Sequence, residues 1–355
     1  MKLRKLWLRP FRIPLAGELR WGAGKQMTAL EHGLIEAVLE DGSVGRGEVA
    51  LRPTIYGETL RSAAGALEWL EPQLGTVDLE EPEAVTRVLD RLPCNLATKA
   101  ALEMALWEAR AAARRVDPLD LLPKARERVR VSFIVGQGDV ETTLQSAGYA
   151  YDRGVRVFKL KTAGLADDEP RIRALVTAFP DAEIYVDANE TLDPETAPET
   201  LARWRELGVT MVEEPLPIEM VRARSALSRQ GFLPLIADDS AFTPRDLERE
   251  LDLDSFDILN VKPARSGFAP SLKMLDRAQA AGKEAMIGSQ AMSSFGAARA
   301  AAVAFHAAVT RPSELAFHLL AAGSFAPFPP LHDGWLERGE LEFGFSESAF
   351  VRWAL

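Results

Sequence analysis

Five charged residues follow one another along the chain at near-constant steps of 24 to 26 residues: Lys161, Asp187, Glu213, Asp238 and Lys262. Each lies in a short apolar stretch: VRVFKLK (155–161), IYVDAN (184–189), TMVEEP (210–215), LIADDS (235–240) and DILNVKP (257–263). A repeat of that length is one strand, one helix and two loops. The spacing therefore predicts one charge at the carboxyl end of each of five successive parallel strands. In a (β/α)8 barrel this is the face where reactive groups collect.

The residue types suggest a chemistry. Side chains two apart on a strand share a face, so Lys159 accompanies Lys161. Two buried ammonium groups disfavour each other's charge, which is expected to lower a lysine pKa, and a neutral lysine is a competent general base. Asp187, Glu213 and Asp238 converge from three consecutive strands. Three close carboxylates call for a cation, and an all-oxygen set suits a hard ion such as Mg2+. Lys161 and Lys262 sit four strands apart in a ring of eight, hence on opposite sides. A carboxylate substrate would lie between them.

The elements that must hold these groups can be read around them. From residue 128 the chain alternates strand and helix: VRVSFIV (129–135) is a first strand, the five charged strands follow, EAMIG (284–288) is a seventh and SELAFHL (313–319) an eighth. Before this, Lys2–Ile13 alternates as a strand, Gly17–Gly24 is a Gly-rich loop, and LIEAVLE, the Asp41-Gly42 turn and VGRGEV form a hairpin. A loop at 51–57 and helices at 58–70 and 97–113 complete a small α+β unit. The expected architecture is α/β: a modified (β/α)8 TIM barrel at 124–324, an α+β capping domain at 1–123, and a C-terminal segment, 325–355, returning to the cap.

Bulk properties narrow the function. The chain has 355 residues and a net charge of −10, which argues against nucleic acid as a partner. One cysteine, Cys94, rules out an intrachain disulfide, and no stretch approaches the roughly 20 apolar residues of a membrane span. A cytoplasmic enzyme acting on a small molecule is expected, with no membrane partner, as a homo-oligomer.

The ordered set Phe158-Lys159-Leu160-Lys161, Asp187-Ala188-Asn189, Val212-Glu213-Glu214-Pro215-Leu216, Ala237-Asp238-Asp239-Ser240 and Asn260-Val261-Lys262 resembles the enolase superfamily, and within it the muconate cycloisomerase subgroup, the mandelate racemase/muconate lactonizing enzyme-like proteins. DGSVGRGEV and KAALEMALWEARA resemble that family's capping domain. The resemblance implies Mg2+ (Mn2+ as a substitute) held by Asp187, Glu213 and Asp238. It implies Lys161 and Lys262 as the acid/base pair, with Lys159 helping to hold the substrate carboxylate. The implied reaction is removal of the α-proton of a carboxylate to give a metal-stabilised ene-diolate. The chain departs from the family at Asp239, where Glu is usual, and at Ala316-Phe317-His318, where dipeptide epimerases carry Asp-x-Asp.

Three outcomes share the first step: racemisation or epimerisation, which uses both lysines as bases and is the favoured reading, cycloisomerisation, and an o-succinylbenzoate synthase-type dehydration. A glycosidase would need a second carboxylate across the cleft, and strand seven ends at Gly288-Ser289. A non-catalytic metal-binding barrel would not need the lysines. Arg20, Trp21, Arg52 and Tyr56 from the cap, and Asn189, Ser289, Gln290, Phe317 and His318 from the barrel, are the candidates for contacting substrate.

Overall fold

The structure is a computed structural model describing residues 1–22 and 24–355; Ala23, inside the expected Gly-rich loop, lies outside the described residues. The cap is an antiparallel sheet of β1 (Leu3–Trp21), β2 (Lys25–Leu39) and β3 (Val44–Val49), backed by helices. Its apolar alternation buries Leu34, Ile35, Ala37, Leu39 and Val49. The principal helix, Leu96–Arg114, packs so closely on β3 that a Cβ at Gly47 would meet Ala101 O at 1.9 Å. Only glycine allows that approach.

β1 and β2 run much further than the sequence suggested. The Gly-rich stretch up to Trp21 is strand, paired Leu19↔Met27 and Trp21↔Lys25 after an irregularity at Pro14. Two prolines and Gly17 obscure the alternation, yet pairing with β2 holds the backbone extended. The hairpin tip therefore reaches the barrel mouth, with Gly22 against Asn189. Two further helical stretches, Pro53–Tyr56 and Pro82–Leu89, were not foreseen.

The barrel contains a parallel sheet of β5 (Phe133–Val135), β6 (Val157–Lys161), β7 (Glu183–Asp187), β8 (Val209–Glu213), β9 (Leu235–Ala237), β10 (Ile258–Val261) and β11 (Glu284–Ile287), neighbours in that order. The expected first strand is broken: β4 (Arg128–Arg130) pairs instead with β12 (Trp335–Glu337), and β5 begins after Ser132. The expected eighth strand is not a regular strand. Ser313 bridges Val131, Glu314 N donates to Ile287 O, and Phe317–Leu320 is a 3-10 turn. This short segment still joins β11 to the first strand region.

Inside the barrel, Val157, Tyr185, Met211, Ile236, Ile258 and Met286 form one buried apolar layer. Two residues further along each strand, Lys159, Asp187, Glu213, Asp238, Asn260 and Gly288 form the next, a direct consequence of the two-residue period. The tail packs Phe350 against Phe11 and accepts from Arg12 N at Trp353 O (2.9 Å), while its Trp335–Glu337 strand pairs with β4, so residues 325–355 touch both barrel and cap.

Two barrel helices have their amino ends held by cap carboxylates. Glu103 accepts from Phe268 N (2.7 Å) and Ala269 N (3.2 Å), and Glu48 from Ser293 N (3.0 Å) and Gly296 N (2.9 Å). Acids at helix amino ends satisfy otherwise unpaired N–H groups and complement the dipole. Among the described residues no helix is long and apolar enough to cross a membrane.

Candidate active site

Strand register sets the first contacts. Lys161 pairs with Asp187, and Asp187 with Glu213, across neighbouring strands. Lys159 Nζ lies 2.7 Å from Glu213 Oε1, 2.9 Å from Asp187 Oδ2 and 2.5 Å from Glu314 Oε1. Lys161 Nζ lies 2.5 Å from Asp187 Oδ2 and 3.1 Å from Asn189 Oδ1. Lys262 pairs with Asp238, whose other carboxylate oxygen accepts from Arg265 at 3.0 Å.

Glu314 was missed from sequence. It accepts from Lys159, from Ser289 N at 2.8 Å and from Asn260 Nδ2 at 3.3 Å. The period could have found it: two further steps of 26 residues from Lys262 pass through Gly288 and reach Glu314. It stands at the start of the stretch read as the eighth strand, SELAFHL, and not at its end, so it was passed over.

The electrostatics differ from expectation at Lys159. Burial pushes its pKa down, but Asp187, Glu213 and Glu314 together raise it well above the ordinary lysine value. Lys262 is likewise raised, Asp238 overcoming burial. Burial would raise Asp187, yet Lys159 and Lys161 hold it below the carboxylate range. Glu213 moves the other way, pushed up by burial and by Asp187. The like-charge argument failed for Lys159 because it counted the ammoniums and not the carboxylates facing them.

Among the described residues no three acidic side chains converge as a ready-made metal cage. The carboxylates are spanned by ammonium groups. The donor chemistry nevertheless fits a hard divalent cation: Asp187, Glu213 and Asp238 are buried oxygen donors on adjacent strand ends, and Glu213 is destabilised as an anion by its neighbours. Behind them Glu214 Oε1 accepts from Asp238 N (2.7 Å), Ser240 N (2.8 Å) and Ser240 Oγ (2.6 Å), fixing the turn that carries Asp238. Burial raises the Glu214 pKa to about 7. Asn189, Glu190 and Glu214, in the loops after β7 and β8, and Ala291, after β11, all have positive φ. Backbone strain of this kind gathers at functional loops.

Lys161, Lys262, Asn189, Asp238 and Asp239 reach one cavity at the cap–barrel junction, together with Ser289, Gln290, Phe317 and Trp21. Lys159, in the same layer as Asp238, is fully buried and does not line the cavity. Three sequence candidates stand elsewhere. Arg20 is exposed and bonded to Glu18. Tyr56 donates to Ala50 O, and burial raises its pKa. His318 turns onto Phe328 and Leu315 O, and burial lowers its pKa to about 4. Arg52 borders the cavity, but its terminal nitrogens bond His32, Leu51 O, Gln290 O and Ala291 O. A sequence shows a basic loop residue but not how many of its donors are already engaged.

A capped barrel with lysines flanking acids at consecutive strand ends defines a class of enzymes that abstract protons beside carboxylates. Residues 142–341 match the family described as enolase C-terminal domain-like. The chain belongs to the enolase superfamily, on its mandelate racemase/muconate lactonizing enzyme side. It is 30% identical over 281 residues to the aromatic dipeptide epimerase of Herpetosiphon aurantiacus, covering 78% of this chain and 79% of that one. It is 26% identical to the L-Ala-D/L-Glu epimerase of Bacillus subtilis, over 85% and 84% of the two chains. The solved muconate lactonizing enzyme from Mucobacterium Smegmatis, complexed with muconolactone, superposes with a TM-score of 0.93 at 28% identity over 100% of both chains.

Proposed function

We propose that the protein is a Mg2+-dependent racemase or epimerase acting at the carbon beside a carboxylate, on a small substrate of the dipeptide or N-acyl amino acid kind. The observation that carries this is the pair Lys161 and Lys262, which line one cavity from opposite ends of the Asp187–Glu213–Asp238 arc. One lysine takes the α-proton from one face and the other returns a proton to the opposite face. Inversion therefore needs one of the pair neutral and one charged at the start. Lys161 pairs with Asp187 and Lys262 with Asp238, and which lysine acts as base is set by the enantiomer bound.

Removing a proton beside a carboxylate places a second negative charge on it. A divalent cation held by Asp187, Glu213 and Asp238 supplies the compensating charge. Lys159 neutralises the buried acids from below, and Asn260 fixes the Glu213 and Glu314 carboxylates. The Trp21 hairpin tip, Phe317 and Gln290 shape the far end of the cavity. We place the reaction in the cytoplasm, with Mn2+ a usable substitute.

Cycloisomerisation is the second reading, favoured by the whole-chain likeness to the muconate lactonizing enzyme. It needs a single base, the other lysine serving as a cation. The two are separated by incubating the protein with Mg2+ in deuterated water and a panel of dipeptides, N-acyl amino acids and muconate. Loss of the α-proton signal with appearance of the second epimer is expected. Lactone formation from muconate without any α-exchange would replace the first reading with the second.

A further inference from the structure

A line of buried polar groups joins the cap sheet to the barrel loop beside the site. Glu48 on β3, His32 on β2 and Arg52 just beyond β3 are 1%, 0% and 6% exposed. His32 Nδ1 lies 2.6 Å from Glu48 Oε1, and His32 Nε2 lies 2.9 Å from Arg52 Nη1. Arginine has only donors, so Nε2 must accept and Nδ1–H must donate to Glu48. That is the neutral tautomer, which burial and the neighbouring Arg52 both favour.

Both ends of this line grip one barrel segment. Arg52 Nη2 donates to Gln290 O and, at 3.1 Å, to Ala291 O. Glu48 accepts from Ser293 N, Ser293 Oγ (2.5 Å) and Gly296 N. Between the grips, Ala291 has φ 56, a left-handed conformation that a residue with a Cβ does not keep unaided. Gln290 is 4% exposed and lines the cavity shared by Lys161 and Lys262, and its Nε2 has no hydrogen-bond partner among the described residues. This unpaired nitrogen is itself shut off from solvent, so a turn of the side chain towards the cavity would give it a ligand oxygen to donate to.

We propose that Glu48, His32 and Arg52 are positioning residues: through them the cap fixes the 289–291 loop and holds the Gln290 carboxamide against an acceptor oxygen of the substrate beyond its α-carboxylate. The proposal deepens the epimerase reading and rests on it for the identity of the ligand, but its first test needs no ligand. Amide hydrogen exchange is measured on the full chain for wild type, Arg52→Lys and His32→Gln. Both substitutions keep a polar group and so favour a folded protein. Exchange across 288–296 is expected to accelerate about tenfold or more, while 183–187 on β7, four strands away around the barrel, keeps its rate. Unchanged exchange in 288–296, or equal acceleration in both segments, overturns the proposal.

The second test is a double-mutant cycle on kcat/KM with L-Ala-L-Glu and Mg2+. Arg52→Lys and Gln290→Leu are each expected to lower kcat/KM roughly tenfold, and the double variant hardly further. A loss of about a hundredfold in the double variant means that Arg52 acts independently of Gln290 and overturns the link between them. Lack of α-exchange by wild type across the whole substrate panel counts against the epimerase reading, and hydrogen exchange then decides the positioning claim alone.

Discussion

Gly288, just past the end of β11, lies directly against Asn260 and Lys262. A Cβ placed there would lie 2.1 Å from Asn260 Oδ1 and 2.8 Å from Lys262 Cε. Its φ is not in the left-handed region, so Gly288→Ala tests space alone. Non-bonded heavy atoms settle near about 3.5 Å, so Asn260 or Lys262 must retreat by roughly an ångström. Asn260 holds Glu213 Oε2 at 3.2 Å and Glu314 Oε1 at 3.3 Å, so its retreat loosens two carboxylates. Overpacking of this kind destabilises by about 1–3 kcal/mol. Misplacing a reacting group by about 1 Å lowers the rate by about a hundredfold. Gly288→Ala is therefore expected to remain folded, to melt several degrees lower, and to lose about two orders of magnitude in kcat for α-proton exchange, followed by NMR in deuterated water. A variant with kcat within twofold of wild type would refute the placement of Lys262 among the reacting groups.

Mg2+ is expected to raise the melting temperature, by several degrees once its concentration is about a hundred times Kd. Glu213→Gln is expected to abolish the increment, and an equal increment in that variant would remove Glu213 from the cation site. Burial raises the Glu103 pKa to about 6, so between the ordinary carboxyl value and pH 6 the folded state binds more protons than the unfolded one. The Glu103 contribution is thus greatest at low pH and falls by about 2 kcal/mol as pH rises through 6. Urea midpoints of wild type minus Glu103→Gln should fall across that window, and a pH-independent difference contradicts it. Trp21→Ala should raise KM with kcat little changed, since the indole borders the cavity without touching either lysine in the hydrogen-bond network; a loss confined to kcat would count against that role.

The five charges were legible because two periods coincide in them. The two-residue strand period sends Lys161, Asp187, Glu213 and Asp238 to one face, and the βα period sets them on neighbouring strands. Glu314 escaped because it stands at the start of the stretch read as the eighth strand, whereas the other charges stand at strand ends, and that stretch in fact only bridges the barrel. That the Arg52 donors are already engaged could not be read, because its bonds to His32 and Gln290 depend on contacts more than 200 residues apart in the second case. The long hairpin carrying Trp21 was hidden by Pro10, Pro14 and Gly17, whose local preferences are overridden by pairing with β2. The charge of Lys159 could not be read from its neighbour Lys161 alone, because Asp187, Glu213 and Glu314 decide it.

The most direct test of two opposed lysines is the stereochemistry of α-proton exchange in Lys161→Ala and Lys262→Ala, with Mg2+ and each enantiomer of an exchanging substrate in deuterated water. Each variant is expected to lose epimerisation and to keep exchange, if at all, with one enantiomer only, opposite for the two variants. Epimerisation at the wild-type rate in either variant would contradict the two-base site.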